Sequence, residues 1–124
     1  MLKTLCDLNG TSGNEAAVRD CILEQIRPYC TTCTVDAMGS VIAFKKGKRT
    51  PEKRVMLSAH MDEVGFLVTH IEEDGFLRVN QVGGVDRKLY ASSCVTVHTA
   101  SGPLSGVISS VPPHLRKEEK ELPA

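Results

Sequence analysis

Residues Val55–Phe66 read VMLSAHMDEVGF, and the fold of the chain turns on how this stretch is interpreted. Val55, Met56, Leu57 and Ala59 make a short apolar run broken only by Ser58, the pattern of a strand covered on both faces in an α/β sheet. The expectation is a central strand over Val55–Ala59, with His60, Met61 and Asp62 at its carboxyl end. Open α/β sheets gather their reactive groups at that end. The chain then returns at once to apolar residues in Val64-Gly65-Phe66-Leu67-Val68. Charges wedged between two apolar segments carry a desolvation cost that calls for a reason.

A histidine followed two residues later by an aspartate supplies one such reason. A ligating imidazole needs an acceptor on its second ring nitrogen to fix the tautomer and raise its basicity. His60 is then the candidate metal ligand and Asp62 its orienting carboxylate, and in extended chain the two side chains share one side. The competing reading is a polar strand end followed by a solvated acidic turn, Asp62-Glu63. The tripeptide alone does not separate the two; its apolar flanks favour the first.

AHMDEVGF, residues 59–66, resembles the metal-binding signature of the M42 metallo-aminopeptidases. Thr11-Ser12-Gly13-Asn14-Glu15 resembles the opening SGxE of that family, and Val35–Ile42 its D-x-x-G-N-V-I, with Ser40 where the family usually has Asn. Gly75-Phe76-Leu77, Gly83-Gly84 and the run from Gly106-Val107-Ile108 to Pro112-Pro113-His114-Leu115 follow in the same order, so the resemblance covers nearly the whole chain. It implies a metal-dependent aminopeptidase acting on the N-terminal residue of peptides, with two divalent metal ions, zinc or cobalt, in the complete enzyme. His60 is the one metal ligand and Asp62 the one catalytic-site carboxylate it assigns here. The remaining carboxylates and a second histidine come later in the family pattern.

The 124 residues suit one domain, or one and part of another, and 41% hydrophobic residues can build a modest core. Fifteen basic and fifteen acidic residues cancel, which removes any global argument for nucleic acid or an anionic membrane. The basic loop Lys45-Lys46-Gly47-Lys48-Arg49 is short, lacks aromatic neighbours and reads as a solvated turn. No apolar run reaches bilayer length and the first residues lack a signal-peptide core, so a cytoplasmic location is expected. Five cysteines without a regular framework should be thiols there, and Cys30-Thr-Thr-Cys33 lacks the second pair a structural zinc would need.

Along the chain, Leu2–Leu8 should form a short helix that exits at Asn9-Gly10. Asn14–Ile26 should form a longer one, with Ala17-Val18, Cys21-Ile22 and Gln25-Ile26 on one face, Ser12 or Asn14 as its cap and Pro28 as its stop. Thr32–Phe44 reads as two strands about Asp36-Ala-Met-Gly39. Further strands are expected at 65–71, 76–82, 94–99 and 104–109, a spacing that suggests a small barrel or sandwich. The expected fold is therefore α/β: residues 1–66 form the N-terminal part of a catalytic domain with helices on a mixed sheet. Residues 67–124 form an incomplete, barrel-like β insert which, by the resemblance, carries homo-oligomer contacts.

His70, His98 and His114 read as non-ligands, His98 because it shares the polar strand face of Thr96 and Cys94. The charged segment Arg116–Ala124 falls where the family continues, so an N-terminal fragment inactive by itself is expected. Two alternatives stand beside the aminopeptidase: a non-catalytic fragment or interaction module, and another HxD metallohydrolase of the same superfamily. Asp62-Glu63-Val64-Gly65-Phe66 fits the M42 pattern better than the HxDxVP of those relatives.

Overall fold

A computed structural model of the chain describes residues 1–50 and 52–110. His114 with the prolines before it and the charged segment 116–124 lie outside the described residues. The chain forms two units that divide between Gly84 and Val85.

The first unit opens with helix α1 (Leu2–Cys6) and helix α2 (Ala16–Ile26). On α2, Val18 and Leu23 are buried and Cys21, Ile22 and Ile26 half-buried, while Ala17 and Gln25 stay exposed. The predicted helical rhythm holds, but the covered stripe is rotated toward Leu23. Neither Ser12 nor Asn14 caps the helix: Glu15 occupies the cap position, and its side chain accepts from the Gly13 amide at 2.7 Å. Ser12 is unavailable because its hydroxyl is engaged elsewhere. α2 ends at Ile26, two residues before Pro28, as expected, and Pro28 itself sits inside a 3-10 turn, Arg27–Tyr29, early in a helical turn where the absent N–H costs nothing.

α2 packs against the hairpin of β1 (Thr32–Val35) and β2 (Val41–Phe44). The turn between these strands is built by Asp36, whose Oδ1 accepts from the amides of Met38 and Ser40, each at 2.9 Å. Gly39 completes it at φ +88°, a conformation that favours glycine. Ser40 is thus used here through its backbone. The second hairpin pairs β3 (Gly65–Ile71) with β4 (Leu77–Val82), and its register shifts between Val68 and His70, as in a β-bulge.

The second unit is a 3-10 turn, Arg87–Leu89, followed by the hairpin of β5 (Cys94–Thr99) and β6 (Gly102–Val107). The last strand begins two residues earlier than expected because Ala100-Ser101 alone make the turn, closed by Thr99 Oγ1 donating to the Gly102 carbonyl at 2.6 Å. His98 lies on the exposed face with Cys94 and Thr96, opposite the half-buried Val95 and Val97.

Two expectations need correction. Val55–Ala59 is not a buried central strand: it belongs to no strand, and Val55, Met56 and Leu57 are 86%, 88% and 92% exposed. The sheet is not mixed either: among the described residues the strands pair as three antiparallel two-stranded hairpins, and the sole parallel link is the bridge Thr11↔Glu63. The reason is common to both. A strand apolar on both faces is buried only when neighbours bond both edges and layers cover both faces, and none of the described residues takes those places. Only Val18 and Leu23 are buried among the described hydrophobic residues.

Candidate functional site

The candidate site lies in the first unit, where the chain from His60 to Glu63 is held by the loop Gly10-Thr11-Ser12. The Glu63 amide donates to the Gly10 carbonyl at 2.8 Å and the Ser12 amide to the Glu63 carbonyl at 3.4 Å. The Gly10 amide in turn donates to Glu63 Oε1 at 3.1 Å, so Glu63 faces the loop. Two glycines permit this approach. A Cβ on Gly10 would come within 2.9 Å of Val18 Cγ2 and 3.3 Å of the Met61 carbonyl, and one on Gly65 within 2.7 Å of Thr11 Oγ1.

Within this clasp His60 and Asp62 meet. His60 Nδ1 lies 3.1 Å from Asp62 Oδ1 and 3.0 Å from the Asp62 backbone carbonyl. Both neighbours are acceptors, so in the neutral ring Nδ1 carries the proton. Nε2 is left with its lone pair on a side chain that is 86% exposed. The other carboxylate oxygen, Oδ2, accepts from the Ser12 hydroxyl. The Ser12 hydroxyl bond, with His60 adding a smaller contribution, holds the Asp62 carboxyl below its ordinary value against a partial desolvation cost.

This geometry fits one ligand of a metal centre: an imidazole with a fixed tautomer, a free nitrogen and a carboxylate behind it. It is not a complete centre, because no group of three or more His, Cys, Asp or Glu able to hold a metal exists among the described residues. His70 is 3.7 Å from Glu72, which is also bonded to Arg78, and joins no such group. All five cysteines are free thiols. The strand end expected to present His60 and Asp62 is absent; the Gly10–Ser12 loop holds them instead. The sequence pointed to Ser12 only as part of a motif and a possible helix cap, and nothing local signals its reach across 50 residues to Asp62.

Residues 39–124 match the sequence profile of the M42 glutamyl aminopeptidases. The chain belongs to the M42 family. FrvX of Escherichia coli is 41% identical over 99% of this chain and 34% of its own length. The lysyl aminopeptidase of Pyrococcus furiosus is 35% identical over 98% of this chain and 34% of its own. Among solved structures, the TET1 peptidase of Pyrococcus horikoshii, which can assemble into a tetrahedron or a large octahedral shell, is 38% identical with a TM-score of 0.78. That likeness covers 98% of this chain and 36% of the other. The chain thus spans about a third of the relatives it matches, and its α/β character agrees with theirs. The clasp straddles the edge of the M42 profile: His60 and Asp62 lie inside it, Ser12 outside.

Proposed function

We propose that this chain contributes the first metal-ligand unit of a metal-dependent aminopeptidase that removes the N-terminal residue from peptides. His60 binds one metal through Nε2, and Asp62 holds the ring by Nδ1. The observation that carries this is the pairing of His60 Nδ1 with two acceptors of Asp62, which leaves Nε2 exposed. Two divalent ions, zinc or cobalt, would polarise the scissile carbonyl and lower the pKa of a water at neutral pH. The residues of this chain orient one ligand for that chemistry; the described residues do not complete it.

Residues 67–124 serve as the region of oligomer contact, following the boundary read from the sequence, with residues 1–66 as part of the catalytic domain. The assembly of the TET1 relative supports a homo-oligomer. Five free thiols suit a cytoplasmic location.

A chimera tests the reading, with this chain in place of the matching third of the Pyrococcus furiosus lysyl aminopeptidase. Its metal content and its release of chromophore from lysyl anilide are measured. The chimera should bind two metals and be active, and His60→Ala should lose one metal together with turnover. A His60→Ala chimera that still bound both metals would remove His60 from the site. The 124-residue chain alone, given zinc, cobalt or manganese, should release no chromophore, since a catalytic zinc normally takes about three protein ligands.

A further inference from the structure

The Asp62 carboxylate is shared between two side chains, one oxygen to each. Oδ1 faces His60 Nδ1 at 3.1 Å, and Oδ2 accepts from the Ser12 hydroxyl. Asp62 is partly exposed and could otherwise turn its carboxylate into water, because the χ2 well of an aspartate is broad. Ser12 is itself anchored, its amide bonded to the Glu63 carbonyl and its neighbour Thr11 paired with Glu63. The hydroxyl therefore approaches Asp62 from a fixed backbone.

We infer that Ser12 is a positioning residue for the metal ligand: by holding Asp62 Oδ2 it turns Oδ1 toward His60, where it joins the Asp62 backbone carbonyl in holding the Nδ1–H tautomer and presenting Nε2 outward. This rests on the proposed role of His60, and it adds a residue that touches neither metal nor substrate. With the hydroxyl removed, the carboxylate loses one of its two fixed directions, and of the two acceptors on Nδ1 only the Asp62 backbone carbonyl at 3.0 Å keeps its place, so the tautomer is held less firmly.

The experiment uses the 124-residue chain labelled with 15N in its histidines, above the pH range where imidazoles ordinarily titrate. Long-range 1H–15N spectra report the tautomer of each ring, and His60→Gln assigns the His60 signals. In the parent, His60 should show a protonated Nδ1 and an unprotonated Nε2. In Ser12→Ala its two nitrogen shifts should move toward the averaged values of a tautomer mixture, and Ser12→Thr, which keeps the hydroxyl, should restore them. Backbone amide spectra of the variants check that the fold is retained.

Zinc is then titrated into each variant. Ser12→Ala should weaken the zinc response of His60 by up to about tenfold, the lower edge of the roughly 10- to 100-fold cost of losing a ligand's direct partner. An unchanged His60 pattern in Ser12→Ala, or a Ser12→Thr that behaves like Ala, overturns the inference. A tautomer that depends on Ser12 while the His60→Ala chimera keeps both metals would instead overturn the metal-ligand reading and leave the Ser12 tie standing.

Discussion

Replacing Gly10 with alanine should loosen the clasp that holds the candidate site. The added Cβ would sit 2.9 Å from Val18 Cγ2 and 3.3 Å from the Met61 carbonyl. Val18 is only 5% exposed and is one of two buried hydrophobic residues among those described, so its side chain has little room to retreat. Overpacking of this kind costs about 1–3 kcal/mol. The shift it forces acts on the Gly10–Glu63 pair of hydrogen bonds, at 2.8 and 3.1 Å, where one weakened bond adds about 1 kcal/mol. Lower entropy of the unfolded chain returns about 0.4–1 kcal/mol. The net expectation is a destabilisation of about 1–3 kcal/mol. The assay is urea unfolding followed by far-UV circular dichroism, with Gly84→Ala as control because a Cβ there meets nothing within 4 Å. In a Val18→Ala background the crowding methyl is gone and Gly10→Ala should cost markedly less. A Gly10→Ala chain as stable as its parent, or equal costs in both backgrounds to within about 0.5 kcal/mol, would refute the reasoning.

Three further outcomes are expected. In the chimera, Asp62→Asn should keep metal but lower activity, within the roughly 10- to 100-fold range for partners of a ligand; full activity with Asn would show that the carboxylate charge is not needed. Ser12→Ala should raise the Asp62 carboxyl toward its ordinary 3.8, measured from the pH dependence of its 13C shift. Since the folded value lies below the unfolded one, the Ser12 tie stabilises the fold above pH 3.8 and this contribution fades as pH falls through the folded value. Finally, the exposed Val55-Met56-Leu57, together with hairpins that no third strand extends among the described residues, should make the chain associate as concentration rises. Leu57→Lys should reduce that association in light scattering, and a strictly monomeric parent at high concentration would contradict it.

The local elements were legible because their causes are local. Asp36 and Gly39 specify a tight turn whichever environment surrounds it, and the strands on either side followed. Helix α2 was readable from its 3.6-residue rhythm, and the outward face of His98 from the two-residue period of β5. Val55–Ala59 failed as a buried strand because an apolar run encodes a demand for cover, while cover itself comes from other segments. The candidate site divides along the same line. The pairing of His60 with Asp62 was legible because residues two apart must meet or miss within one short segment. Ser12, Gly10 and Gly65 were not, since their parts depend on a contact between loops 50 or more residues apart, and only the folded chain brings that hydroxyl to that carboxylate.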